Sequence, residues 1–175
     1  MELAELKLRV NRLQRLRKRP QKPLARRTLA AWSSQHLCCR TKAGLLPLTP
    51  ESGLHHWLVS ELETLHERRG TRIAVVAPRG SAKTTWASYA YPLYCGVHGL
   101  EPYILLISDT QAQARINLAN IKEEIEDRFP GLVGSPWGQD RVRLLNGVVI
   151  EALGTCSKIR GRRNRADRPS LIVVD

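Results

Sequence analysis

Apolar residues along this chain switch between two spacings, and each change of spacing marks an element. Leu3, Leu6, Val10 and Leu13 recur three and four positions apart, with arginines filling most other faces, which predicts a helix over 2–18. Pro20 and Pro23 interrupt it, and a second helical stretch is expected over 24–39. Thr49 followed by Pro50 has the form of a helix start, a capping hydroxyl and then proline at the first helical position. Leu54, Trp57, Leu58, Leu62 and Leu65 mark one face of that helix, and Gly70 is its expected stop. The apolar run 72–77 is too short for a helix, is rich in β-branched residues and reads as a buried strand. A helix is expected over 83–91, limited by Pro92. Residues 103–108 form a second buried strand, and Asp109 or Ser108 can cap a long helix over 110–129 that Pro130 and Gly131 stop. Runs 141–145 and 148–152 flank Asn146-Gly147, a two-residue hairpin signal. The run 171–175 closes the series as another buried strand ending on Asp175. Strand, loop, helix, strand, helix, hairpin, strand is an α/β order with parallel crossovers.

Composition narrows this picture. A chain of 175 residues with 42% hydrophobic content can bury one real core. No apolar run reaches the ~18 residues of a membrane helix, so no membrane partner is expected. The charged N-terminus has no apolar h-region of the secretory kind. Cys38, Cys39, Cys95 and Cys156 make neither a C-x-x-C pair nor a Cys/His ligand set, which fits reduced thiols in a cytosolic protein. The net charge of +12 is concentrated in two segments. Residues 1–30 hold ten Lys/Arg against two Glu, and 156–168 hold six against one Asp. Such segments meet polyanions, either nucleic acid or an acidic partner. The chain therefore divides into a basic helical arm and linker, 1–48, and a body, 49–175. The arm suits a solvated helical hairpin packing on a partner, direct contact with DNA phosphates, or disorder. His55 and His56 read as packing or surface residues.

The chemistry centres on Ala77-Pro78-Arg79-Gly80-Ser81-Ala82-Lys83-Thr84-Thr85. The usual phosphate-binding loop is G-x-x-x-x-G-K-[ST], and here Ala77 and Ala82 stand where its glycines fall. Such a loop works by pointing backbone N–H groups inward at phosphate oxygens from a strand-to-helix turn. Gly80 keeps one permissive position. Ala82 is tolerable if it takes an ordinary helical φ. Lys83 can reach the β and γ phosphates, Thr84 can ligate Mg²⁺ with Thr85 as substitute, and Arg79 adds a second cation. A second apolar strand ending in aspartate supports the metal in phosphate-loop ATPases, and Leu171-Ile172-Val173-Val174-Asp175 has that form.

These residues give the chain a resemblance to the N-terminal ATPase domain of phage terminase large subunits, the motors that package double-stranded DNA into procapsids. "HHWLVSELETLHERRGTRIAVVAPRGSAKTT" resembles that family's helix, strand and arginine-bearing loop, commonly P-R-G-x-x-K-[ST]. "LLISDTQAQARINLANIKEEIE" resembles its second strand and following helix, and "KIRGRRNRADRPSLIVVD" its Arg-Gly segment, Arg-Pro step and Walker B strand. Order and spacing agree over residues 50–175. The resemblance implies a P-loop NTPase fold of the RecA/ASCE-like kind, with a mainly parallel sheet and flanking helices, incomplete here, beside the basic helical arm. It implies ATP and Mg²⁺ as cofactors. Pro78, Arg79, Gly80, Ser81, Ala82, Lys83, Thr84 and Thr85 would hold the nucleotide, and Thr84 and Asp175 the metal. Arg79 and Lys83 would be catalytic, joined by an arginine acting on a neighbouring subunit's ATP, first Arg160 and second Arg165. His55, His56 and Trp57 would lie near the adenine. Implied partners are double-stranded DNA, a portal protein, a small terminase subunit and further copies in a homo-oligomeric ring, in the cytoplasm of a host cell.

The family carries a glutamate directly after the Walker B aspartate to position the attacking water, whereas this sequence stops at Asp175. The expectation is a fragment, a truncated product or one piece of a split gene that binds nucleotide weakly and hydrolyses it slowly or not at all. Two rivals share part of the pattern: another nucleic-acid motor of helicase type, and a non-catalytic basic binding module.

Overall fold

The computed structural model describes residues 28–41, 44–68, 70–157, 161–164 and 166–175. The helix expected over 2–18 lies outside them. Helix α1, Leu29–His36, is capped by the Thr28 hydroxyl, which accepts from the Ala31 N–H at 3.3 Å. The helical stretch expected up to residue 39 ends earlier, because Leu37 turns extended (φ −118°) and the next residues pair as a ribbon. That antiparallel ribbon is β1, Cys38–Thr41, with β2, Gly44–Pro47. Helix α2, Gly53–Leu65, begins later than Thr49-Pro50 suggests, because Ser52 is the residue whose hydroxyl caps it, accepting from the His55 N–H at 3.2 Å. Its buried face is Leu58, Val59 and Leu62, while Trp57 remains 45% exposed.

Among the described residues, 72–77 form no strand and join no sheet, which corrects the buried strand expected there. Val76 is 95% exposed. The alternation survives, with Ile73, Val75 and Ala77 half-buried between exposed neighbours. What is lacking is a paired neighbour. A cavity of about 620 Å³ is lined by Ile73 and Val75 and by Leu171 and Val173 of the last strand run.

The helix after the loop does not stop at Pro92. Residues Thr85–Ala90 form a π-helical turn, and α3, Tyr91–His98, continues from it. The Tyr91 N–H reaches back to the Trp86 carbonyl, five residues earlier. Pro92 then sits in the opening turn of α3, where a missing N–H and a bulky ring are tolerated.

Strand β3, Tyr103–Ser108, is buried along its whole length. Helix α4, Gln111–Arg128, is capped by Thr110 rather than by Asp109 or Ser108: the Thr110 hydroxyl accepts from the Gln113 N–H at 3.1 Å. Then come β4, Val133–Trp137; β5, Arg141–Leu144; β6, Val149–Gly154; and β7, Leu171–Val174. The sheet order is β4-β5-β6-β3-β7. Strand β3 pairs in parallel with β6 and β7, while β4-β5 and β5-β6 are antiparallel. The molecule is thus α/β with a mixed five-stranded sheet, where a mainly parallel one was expected. Strand β7 is an edge, with Ile172 and Val174 exposed, rather than a buried strand. The β5–β6 connection is longer than the expected two-residue turn. The Gly147 N–H donates to the Leu144 carbonyl, the Leu144 N–H donates to Val148, and Gly147 alone is left-handed (φ +96°). This is the geometry of a three-residue loop with a glycine bulge.

The helices cover one face of the sheet. Ile104, Leu106, Ile150 and Ala152 meet Leu118, Ile121 and Ile125 of α4 in the main core. Leu29, Trp32, Leu37 and Leu48, from the segment read as arm and linker, belong to the same cluster. Tyr103, Leu105, Ile107, Val149 and Leu153 form a smaller cluster on the opposite face.

Candidate functional site

Residues 78–84 carry the chain from the unpaired segment 72–77 into the helix, and two left-handed residues curl them. Gly80 has φ +79° and Ala82 φ +51°. The ordinary helical φ expected of Ala82 is therefore corrected, and a left-handed alanine costs about 1–2 kcal/mol. Its side chain packs against the main core, which offsets part of that cost. Space around the Gly80 Cα is open. Backbone strain of this kind collects where a loop must present its amides to a ligand.

The loop is closed on itself by Lys83. Its ammonium donates to the Ala77 carbonyl at 2.5 Å, the Pro78 carbonyl at 2.8 Å and the Ser81 hydroxyl at 3.2 Å. The Ser81 hydroxyl in turn donates to the Pro78 carbonyl at 2.7 Å. All these acceptors are neutral, so phosphate oxygens would be stronger partners for the same cation. Pro78 and Arg79 are exposed at the turn.

Asp175 meets this loop from the end of β7. The Thr84 hydroxyl donates to the Asp175 carboxylate at 2.9 Å. The two stretches singled out in the sequence, far apart in the chain, are thus in contact, with Lys83 and Asp175 lining the same cavity. Thr85 is the first residue of the π turn, half-buried. Among the described residues no group of three His, Cys, Asp or Glu could hold a metal ion. A hydroxyl beside a carboxylate nevertheless suits Mg²⁺, which keeps several waters and takes most other ligands from phosphate.

His55 braces the loop, a role the sequence did not signal. Its Nδ1 accepts from the Glu51 N–H at 3.2 Å, so the ring proton sits on Nε2, which donates to the Ser81 carbonyl at 3.1 Å. The histidine thus ties the start of α2 to the loop. Arg160 and Arg165 lie outside the described residues. Glu151 is remote from the loop in its contacts. It is 5% exposed, accepts from the Tyr103 hydroxyl at 2.5 Å and pairs with Arg162. No protein-family model matches the chain, and no curated protein matches it.

Proposed function

We propose that the loop 78–85 and Asp175 bind the polyphosphate of ATP with Mg²⁺. We further propose that this unit is the ATPase segment of a viral DNA-packaging terminase, a P-loop motor acting on double-stranded DNA. The observation that carries the nucleotide reading is the 2.9 Å contact between Thr84 and Asp175, one residue beyond Lys83. It brings a hydroxyl, a carboxylate and an ammonium to one end of the sheet beside a curled loop. In this reading Lys83 exchanges its neutral carbonyl partners for β- and γ-phosphate oxygens. Thr84 and Asp175 would hold the metal, and Arg79 would bring a second positive charge. Bound Mg²⁺ neutralises phosphate charge. The terminase assignment rests on the motif resemblance, which also supplies the ring of copies, the portal and small-subunit partners, the trans-acting arginine (Arg160 or Arg165) and the host-cell cytoplasm.

The nucleotide reading is tested with a fluorescent ATP analogue titrated with and without Mg²⁺. Lys83→Ala should weaken binding roughly 10–100-fold, the worth of one charge-assisted contact. Asp175→Asn should remove most of the Mg²⁺ dependence. Equal affinity in wild type and Lys83→Ala would overturn it.

A further inference from the structure

On the sheet face away from the helices, two arginines share one acceptor. Arg141 and Arg143 stand two apart on β5, so both point to the same side while Val142 and Leu144 enter the core. Arg141 Nη2 and Arg143 Nη2 each donate at 2.8 Å to a single atom, the amide oxygen of Asn164. Two guanidinium groups thus converge on one neutral oxygen. Arg143 Nε is buried and has no hydrogen-bond partner. The carboxylate opposite Arg141 in register is Glu151, and it is already engaged by Arg162 and the Tyr103 hydroxyl. The same contacts hold the cluster rigid: the Arg141 guanidinium lies 5.9 Å from the Tyr103 ring centroid, and Glu151 pins Arg162.

Positive charge continues beyond the cluster. Arg162, Arg163 and Arg168 line a neighbouring cavity of about 270 Å³ floored by Leu105 and Ile172. The segment 156–168 carries six Lys/Arg against one Asp. Planar guanidinium forks fixed in place match the oxygens of a phosphate better than any neutral acceptor.

The geometry points to a phosphate-binding site formed by Arg141 and Arg143 around Asn164, taking a backbone phosphate of a polynucleotide. A polynucleotide suits the site because further arginines, Arg162, Arg163 and Arg168, line the cavity beside it, more cations than a single small anion needs. The phosphate takes the position that the Asn164 amide oxygen half satisfies, and Arg143 Nε gains an acceptor. This extends the DNA-binding part of the reading above and is independent of nucleotide binding in the 78–85 loop.

The test is fluorescence anisotropy of a labelled DNA duplex with the full chain, without nucleotide or Mg²⁺, across a salt series. A failure of the ATP reading therefore leaves the result untouched. The pair Arg141→Gln and Arg143→Gln should weaken binding about tenfold and make the log–log salt slope shallower by about one unit. The Arg→Lys pair should keep the slope and recover part of the affinity, since charge is retained and the fork is lost. Asn164→Ala, which frees both guanidinium groups, should bind duplex at least as tightly as wild type. Circular dichroism checks that each variant is folded. Unchanged affinity and slope in a folded Gln pair overturn the proposal. So does loss of duplex binding in a folded Asn164→Ala protein, the mark of a purely structural latch. A Gln pair that alters binding of inorganic phosphate but not of duplex overturns the polynucleotide assignment.

Discussion

Ala82 holds a backbone conformation that glycine adopts at no steric cost, in the loop where the ordinary phosphate-binding pattern has glycine. The strain of about 1–2 kcal/mol is partly repaid by the lower unfolded-state entropy of alanine. Ala82→Gly should therefore stabilise the protein by about 0.5–1 kcal/mol and raise Tm by about 1–4 °C in a thermal melt. A lower Tm would show that the packing of this methyl outweighs its φ. A second residue-scale case is Tyr103, whose hydroxyl is pushed up from 10.0 to about 12 by burial and then by its hydrogen bond and proximity to Glu151. The folded value lies above the unfolded one, so the contribution to stability is fully present below pH 10 and is lost as pH rises from 10 to about 12. Tyr89 and Tyr91 are raised too, chiefly by burial. Tyr103→Phe should remove one phenol titrating near 12 from the absorbance titration and cost about 1 kcal/mol at neutral pH through the lost hydrogen bond. Residue types alone singled out Lys83, Thr84 and Asp175, which the structure brings together, because each stands in a local motif. The bracing contact of His55 with the loop and the partners of Glu151 escaped because they depend on which distant backbone or side chain each residue meets.

Elements were legible where the local pattern and the tertiary setting agree. Strand β3 matches its apolar run residue for residue, since both its neighbours and both its faces are supplied. The run 72–77 is also largely apolar and has a different fate, because strand assignment needs a pairing partner that no sequence pattern contains. Pro92 misled as a stop signal because a wider turn ahead of it absorbs its missing N–H. Helix starts slipped by one to three residues because two hydroxyls, Thr49 and Ser52, compete at the first start and Ser108, Asp109 and Thr110 at the second, and only cap geometry chooses between them. The unpaired segment carries its own test. Without ladder hydrogen bonds, the amides of residues 73–77 should exchange with deuterium within seconds to minutes, while those of 104–107 should wait for global unfolding. Comparable protection in the two would mean that 73–77 pairs with the β7 edge in solution and closes the cavity between them.

At the scale of the whole molecule, the charge pattern suggested a basic appendage followed by a separate body, and the packing joins part of the first to the second. Trp32 of α1 is 1% exposed. Its ring stacks on Phe129 at 6.0 Å and meets the edge of Tyr94 at 5.5 Å, binding α1 to the end of α4 and to α3. Helix α1 spans only eight residues and buries just Leu29, Trp32 and Ser33, too short a pattern to signal this attachment in the sequence. The consequence is mechanical as well as energetic. The same core carries Trp86 and Tyr91 in the helix that follows the loop, and Leu171 on the strand that ends at Asp175. A loss at Trp32 should therefore be felt by the whole unit. Trp32→Ala should cost about 3–5 kcal/mol in urea denaturation, with fluorescence and far-UV circular dichroism still falling together in one transition. If α1 were merely an appendage, the same substitution would leave the main transition where it was and remove only a small early phase. The two outcomes differ in the urea midpoint of the main transition, which is the quantity to measure.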